Sequence, residues 1–173
     1  MQLEEIRSAI RDVPDFPQKG ILFKDITTIL NQPEYFKNVI NLLYDKVCDN
    51  NVDYVAGIES RGFIFGSVLA DRLNCGFVPI RKPGKLPAAV HQVEYQLEYG
   101  ADKLEIHRDA FPEGKNVVII DDLLATGGTA AAAAELVEKA GGKVIKLLFI
   151  IELAFLKGRQ KISKYDFHSL IEF

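Results

Sequence analysis

The hydrophobic positions of the chain form two patterns. One is the helical spacing of an amphipathic helix, and the other is the continuous apolar run of a buried strand. Apolar residues at helical spacing predict a helix from Leu3 to Arg11 and a second from Glu34 to Val47. A third helix is predicted after Gly62, and a fourth from Gly128 to Ala140, where two glycines close it. Continuous apolar runs predict buried strands at 53–58, 77–80, 116–120 and 143–151. Strands and helices therefore alternate along most of the chain.

The pattern changes between the second and third of these strands. Residues 81–89 are broken by proline and glycine and are not expected to be regular. Residues 93–106 alternate apolar with polar and predict a hairpin that turns at Gly100 and Ala101. The remaining alternation predicts an α/β fold, a parallel open sheet flanked by helices, and 173 residues fit one domain spanning 1–173. In such sheets, ligands bind beyond the carboxyl ends of the strands.

The composition restricts the class of protein. Hydrophobic residues make up 48% of the chain, charged residues 26%, and the formal net charge is −3. A nucleic-acid partner is not expected, because such proteins usually carry a basic face. The N-terminus lacks a signal-peptide pattern, no apolar run is long enough to span a membrane, and Cys48 and Cys75 form no metal-binding pair. We therefore expect a cytoplasmic protein without a membrane partner.

The segment from Val117 to Ala130 carries the most specific chemistry. Its apolar strand is expected to end at Asp121 and Asp122, and a glycine- and threonine-rich loop then leads into a helix. Carboxylates can accept hydrogen bonds from the vicinal hydroxyls of a sugar, while glycine backbone and a helix N-terminus suit a phosphate group. The acids and threonines alone would equally well end a strand and cap a helix, but the whole ordered string favours a binding site. Neither a dinucleotide fingerprint nor a P-loop is present.

The string from Val118 to Ala130 resembles the phosphoribosyl pyrophosphate signature of the type I phosphoribosyltransferases. The resemblance implies that Asp121 and Asp122 hold the ribose hydroxyls. It implies that the 5-phosphate lies on the loop residues Ala125, Thr126, Gly127, Gly128 and Thr129. The Leu-Leu-Ala that follows the acids is similar to the adenine-specific branch. The expected reaction is then the conversion of adenine and phosphoribosyl pyrophosphate to AMP and pyrophosphate.

The run Glu59-Ser-Arg-Gly-Phe63 follows the first buried strand. An arginine here is either a surface residue that begins a helix or a planar fork that clamps a diphosphate. The run resembles the pyrophosphate-binding loop of the adenine-specific branch, which implies that Arg61 is a pyrophosphate ligand with a catalytic role.

The stretch Arg81-Lys-Pro-Gly-Lys-Leu-Pro87 places three cations among prolines and a glycine. It is either a solvated basic loop or a mobile flap that closes on an anion and excludes water. It is similar to the flexible catalytic loop of the family, roughly residues 81–100. That similarity implies that Lys82 and Lys85 stabilise departing pyrophosphate, with Lys85 catalytic, and that Arg81 acts across a subunit interface. Glu98 would face the base and exchange a proton with it.

The N-terminal stretch from Asp15 to Asp25 resembles the family's hood over the base, roughly residues 1–33. The resemblance implies that the backbone of Leu22 reads the Watson–Crick edge of adenine, that the backbone of Lys24 meets N7, and that Phe16 covers the ring. Alternatively, its apolar residues simply pack the helix onto the sheet. The family usually has proline and arginine where this chain has Lys19 and Lys24.

The resemblance also implies a cofactor and partners. Mg²⁺ would be carried by the substrate near Asp121 and Asp122, mostly with retained waters and without direct protein ligands. A homodimer is expected. Three alternatives stay open: an enzyme for hypoxanthine, xanthine or orotate; a non-catalytic regulator that binds phosphoribosyl pyrophosphate; and an α/β binding or structural domain.

Overall fold

Two units make up the chain in the computed structural model, which describes residues 3–96 and 100–173. They span Met1–Leu42 and Leu43–Phe173. The first contains helix α1 (Leu3–Ala9), strands β1 (Arg11–Pro14) and β2 (Leu22–Asp25), the short helix α2 (Thr27–Leu30) and the start of α3 (Pro33–Asp45). β1 and β2 are antiparallel, with Val13 opposite Phe23. The predicted first helix is two residues too long at its C-terminal end, because Arg11 begins β1.

A parallel sheet of five strands organises the second unit, as the alternating pattern predicted. The spatial order of its strands is β4-β3-β7-β8-β9. Their bounds are β3 Tyr54–Ile58, β4 Gly76–Ile80, β7 Asn116–Leu124, β8 Lys143–Glu152 and β9 Phe167–Glu172. The predicted hairpin is also present, formed by β5 (Val90–Gln96) and β6 (Ala101–His107). Residues 81–89 contain no helix or strand, as expected.

Helices α4 (Arg61–Leu73) and α5 (Gly128–Lys139) cover opposite faces of this sheet. Side chains alternate along β7, so that Ile119 joins the core beneath α5 and the hairpin, while Ile120 lies against Gly66 of α4. Four of the five alanines of α5 are buried and let the helix pack closely. Gly141, at φ +88°, ends α5 with the bond from Gly142 N–H to the Val137 carbonyl that typifies a glycine C-cap.

β7 is longer than the sequence indicated. We predicted that the strand ends at Ile120, with both acids beyond it, but Asp121 and Asp122 lie within β7, which continues to Leu124. The neighbouring β8 supplies the reason, because it is ten residues long and pairs as far as Glu152 opposite Leu124. The acids are therefore held by sheet hydrogen bonds rather than by a loop. Within the described ranges, no helix has the length and apolar character needed to cross a membrane.

Candidate active site

The carboxyl ends of β3 and β7 lie side by side, because the strands are parallel neighbours with Gly57 opposite Ile120. The chain leaves this pair in opposite directions, from β3 to β4 on one side and from β7 to β8 on the other. α4 and α5 likewise start here and cover opposite faces. A reversal of strand order of this kind opens a crevice at the sheet edge.

Arg61 and Asp122 form an ion pair in this crevice. Arg61 is the first residue of α4, and its Nε lies 2.8 Å from Asp122 Oδ2. The Asp122 side chain is 6% exposed and that of Arg61 is 36% exposed, so the arginine reaches from solvent to a buried carboxylate. The Glu59–Ser60 peptide bond that precedes Arg61 is cis. The residue predicted to bind pyrophosphate and one predicted to bind ribose thus meet directly.

The neighbouring Asp121 carries a perturbed carboxyl group. Its Oδ1 accepts a hydrogen bond of 2.8 Å from the Asp122 backbone N–H. Burial and the adjacent Asp122 carboxylate raise the pKa of Asp121 well above its ordinary value, although Arg61 partly offsets them. A cation or a hydroxyl donor that approached Asp121 would relieve this destabilisation.

The loop between β7 and α5 is fixed by a close backbone contact with a later segment. Gly127 has a φ of +79° and is the N-cap of α5, so the unpaired N–H groups of the helix start face the loop. Two short 3-10 helices, Ala154–Leu156 and Gly158–Gln160, follow β8. A Cβ on Gly158 would overlap the carbonyl oxygen of Ala125 and lie 3.0 Å from the Gly127 nitrogen. Glycine is required here because the two backbones touch.

Two polar cavities open at this edge and share four residues. The first, of about 200 Å³, is lined by Arg61, Asp121, Asp122, Leu123, Leu124, Ala125, Thr126, Gly127, Thr129 and Ala130. The second, of about 380 Å³, is lined by Ile58, Glu59, Ser60, Arg61, Lys82, Tyr95, Leu104, Asp121, Asp122 and Thr129. The shared members are Arg61, Asp121, Asp122 and Thr129. An elongated ligand with an anionic group at each end would fit this arrangement.

The basic segment, residues 81–85, is bound to a carboxylate that the sequence analysis did not single out. The Glu59 side chain is 5% exposed and accepts hydrogen bonds from Arg81 Nε at 3.1 Å and from the Lys82 backbone N–H at 2.7 Å. Lys85 Nζ donates to both Glu59 oxygens, at 2.9 and 3.1 Å. Burial alone would raise the pKa of Glu59, but these donors outweigh it and lower the pKa.

Lys82 belongs to a second polar cluster with Asp102, Tyr95 and Thr129. Its Nζ pairs with Asp102 Oδ2 and donates to the Tyr95 hydroxyl at 3.1 Å. Thr129 Oγ1 donates to the same hydroxyl at 3.3 Å. Burial would lower the pKa of Lys82, but Asp102 and Tyr95 outweigh it and raise the pKa. Tyr95 therefore links the basic segment to the start of α5.

The structure brings together most of the predicted phosphate- and sugar-binding residues, with two differences in placement. Gly128 begins α5 but faces the hairpin, where an added Cβ would lie 3.3 Å from the Gln96 carbonyl oxygen. Arg81 and Lys85 line neither cavity and pair with Glu59. Glu98 lies outside the described residues. The sequence analysis predicted no site role for Glu59, Tyr95 or Gly158. Of these, only Glu59 could have been suspected from sequence, because it lies two positions before Arg61.

The residues predicted to contact the base belong to the first unit. Phe16 is 50% exposed and packs edge-on against Phe23, with ring centroids 5.1 Å apart. Leu22 is 48% exposed. Lys24 Nζ lies 2.6 Å from Asp12 Oδ1, so its charge is balanced within the hairpin of β1 and β2. Two apolar residues predicted to meet the base, Phe16 and Leu22, are therefore about half exposed.

The site also fits a hydrated magnesium ion. Over the described ranges, no three His, Cys, Asp or Glu side chains are grouped so that they could hold a metal ion by themselves. Asp121 and Asp122 offer carboxylate oxygens beside an open cavity. Mg²⁺ keeps several waters and commonly uses one or two carboxylates together with substrate phosphates, which matches this donor set.

Comparisons with known proteins agree with this geometry. Residues 25–172 match the family model described as the phosphoribosyl transferase domain. The chain is 57% identical over 173 residues to the adenine phosphoribosyltransferase of Chloroflexus aurantiacus, covering 100% of both chains. It is similar to the solved adenine phosphoribosyltransferase of Thermoanaerobacter pseudethanolicus, with a TM-score of 0.97, 55% identity and coverage of 99% and 100%. It is also similar to the Trypanosoma brucei enzyme in complex with AMP, pyrophosphate and ribose-5-phosphate, with a TM-score of 0.90, 27% identity and coverage of 98% and 78%. The chain therefore belongs to the adenine phosphoribosyltransferases, which convert adenine and phosphoribosyl pyrophosphate to AMP and pyrophosphate.

Proposed function

We propose that the two connected cavities form the catalytic centre and bind phosphoribosyl pyrophosphate across their full length. The 5-phosphate lies in the smaller cavity, on Ala125–Thr129 and the N-terminus of α5. The pyrophosphate lies in the larger one, towards Arg61 and Lys82. The single observation that supports this assignment is that both cavities share Arg61, Asp121, Asp122 and Thr129, where the ribose has to lie.

In the proposed mechanism, the bond from the sugar carbon to pyrophosphate breaks as adenine attacks from the opposite face. Asp121 and Asp122 accept hydrogen bonds from the ribose hydroxyls and orient the sugar. Arg61 and Lys82 stabilise the charge that develops on pyrophosphate, and Lys85 adds to this stabilisation when the basic segment covers the site. Arg81 would do the same from across the subunit interface. Water exclusion protects the activated sugar from hydrolysis. Arg61 pairs with Asp122 through Nε, and its guanidinium group carries further N–H donors on the two terminal nitrogens.

Mg²⁺ is the proposed cofactor. When bound, it supplies positive charge that neutralises the diphosphate, near Asp121 and Asp122. The placement of both carboxylates on the cavity wall supports this position, because a cation there would favour the ionised form of Asp121.

For the base, we propose that Phe16 covers the adenine ring while the backbone of Leu22 and of Lys24 reads its edge. The exposure of Phe16 and Leu22 supports this role. The Trypanosoma brucei relative is in complex with AMP, which carries the same base. Glu98 is proposed as the group that exchanges a proton with adenine.

We further propose that the protein is a cytoplasmic homodimer that uses no nucleic-acid or membrane partner. Arg81 would act across the subunit interface. Light scattering coupled to size exclusion tests the dimer; a monomeric peak with full activity would exclude the interface role of Arg81.

The decisive experiment measures nucleotide formed from phosphoribosyl pyrophosphate and Mg²⁺ with adenine, hypoxanthine, guanine, xanthine or orotate, each supplied separately. We expect AMP from adenine and little product from the other bases. Preferential turnover of another base would discard the adenine pocket while keeping the phosphate site. Binding of phosphoribosyl pyrophosphate without any turnover would favour a regulator.

A further inference from the structure

Glu59 is the acidic side chain on which the basic segment converges. It follows β3 directly, and its carboxylate receives donors from Arg81, Lys82 and Lys85. A carboxylate that is 5% exposed is strongly destabilised unless its oxygens are hydrogen-bonded, and both oxygens of Glu59 are. This buried and fully hydrogen-bonded carboxylate therefore differs from one in an exposed surface ion pair.

The backbone of the basic segment has a separate support. Arg81 and Glu105 exchange two backbone hydrogen bonds, of 2.9 and 2.7 Å. The Gly84 N–H also donates to Glu105 Oε2 at 3.0 Å. Because β6 holds this turn through Glu105, loss of the Glu59 charge would leave most of the backbone in place. The charge of Glu59 instead restrains the side chains of Arg81 and Lys85.

We propose that Glu59 is a positioning residue for pyrophosphate, which holds the Lys85 side chain next to the turn that presents Arg61. The proposal rests on the function proposed above, since it deepens the pyrophosphate site. Arginine and lysine have flexible stems, and a long side chain that is already restrained loses less conformational freedom when it binds an anion. Charge-assisted bonds from a buried acid provide that restraint.

The test is the kinetics of Glu59→Gln, which keeps the size of the side chain and removes its charge. We expect KM for phosphoribosyl pyrophosphate to rise about tenfold, because charge-assisted hydrogen bonds are roughly twice as strong as neutral ones. In the reverse reaction, KM for pyrophosphate should rise by a similar factor. KM for adenine should stay within about twofold, since positioning is lost only at the leaving group. A purely structural role would instead lower the amount of folded enzyme without changing the ratio of these constants.

Glu94→Gln is the matched control. Glu94 lies on β5 of the adjoining hairpin and pairs with Lys103, but both side chains are about half exposed, at 52% and 44%. We expect wild-type constants from this variant, because exposed pairs contribute little. Should Glu59→Gln fail to fold, Glu59→Asp keeps the charge but shortens the reach, and the same rise in KM is expected from it.

A double-mutant cycle with Lys85→Met identifies the partner. If Glu59 acts through Lys85, Glu59→Gln costs much less in the Lys85→Met background than in the wild type. Equal costs in both backgrounds, or a fall in KM for pyrophosphate after Glu59→Gln, would overturn the proposal. The proposed pyrophosphate site and the proposed positioning role of Glu59 can fail separately. Unchanged constants for Lys85→Met and Arg61→Met would remove the proposed pyrophosphate site itself, whereas unchanged constants for Glu59→Gln alone would remove only its positioning role.

Discussion

Gly158 is the residue whose substitution tests the backbone contact beneath the proposed phosphate-binding loop. Its backbone conformation is open to alanine, because it is not among the described glycines with positive φ. The new methyl group would nevertheless overlap the Ala125 carbonyl oxygen and approach the Gly127 nitrogen to 3.0 Å. Both obstructing groups are backbone, so rotation of a side chain cannot relieve the overlap. The loop or the 3-10 segment has to move.

The size of the displacement sets the expected effect of Gly158→Ala. Nonbonded carbon contacts are optimal at about 3.5–4.0 Å, so relief of the overlap requires a shift on the order of 1 Å. Misplacement of binding groups by about 1 Å can cost roughly 100-fold in rate. We therefore expect kcat/KM for phosphoribosyl pyrophosphate to fall about 100-fold, equivalent to about 2.7 kcal/mol. Overpacking should also lower the free energy of unfolding by about 1–3 kcal/mol.

Steady-state kinetics and thermal unfolding separate these two effects. The matched control is Gly142→Ala, where an added Cβ would lie 2.6 Å from the Phe111 ring, at the opposite end of β8 from the site. We expect Gly142→Ala to lower Tm and leave KM for phosphoribosyl pyrophosphate unchanged. If Gly158→Ala kept wild-type kinetics, or lost no more than Gly142→Ala, the proposed support of the loop by Gly158 would be refuted.

Three further predictions concern polar side chains at or near the sheet edge. Because the pKa of Asp121 is raised, the folded protein binds this proton more tightly than the unfolded chain, so the group costs stability as pH rises above its ordinary 3.8. Asp121→Asn should raise Tm at pH 7 and weaken phosphoribosyl pyrophosphate binding. A Tm at pH 7 below that of the wild type would contradict the expected sign. Arg159→Ala removes the ion-pair partner of Glu152, which is 1% exposed, so thermal unfolding should show a Tm below that of the wild type. An unchanged Tm would show that the pair contributes nothing. Tyr95→Phe keeps the buried ring and removes one hydroxyl, so KM for phosphoribosyl pyrophosphate should rise about three- to tenfold at nearly constant Tm, and unchanged kinetics would exclude a role for that hydroxyl.

The parallel sheet could be predicted because its strands are long, apolar and β-branched. The last strand and the end of β7 were harder to predict. β9 contains His168 and Ser169, so its short alternation is weak, and it forms a strand because β8 offers a free edge. The extension of β7 past Asp121 has the same tertiary cause.

The candidate site was likewise only partly predictable from the sequence. The proposed phosphate-binding loop could be suggested from sequence because its residues lie in one continuous string. Glu59, Tyr95 and Gly158 could not, because each acts through residues distant in sequence. Gly158, for example, meets Ala125 only after β8 has returned the chain to the same sheet edge. Contacts between segments of this kind leave no local pattern.

The pairing of every proposed anion-binding cation has a consequence for how substrate reaches the site. The pairs are Arg61 with Asp122, Arg81 with Glu59, Lys82 with Asp102 and Lys85 with Glu59. Such a site projects little net positive field into solvent, so it provides little electrostatic steering of a free polyanion. Association should therefore depend only weakly on ionic strength. A diphosphate that arrives with its own divalent counterion suits a site that is already close to neutral.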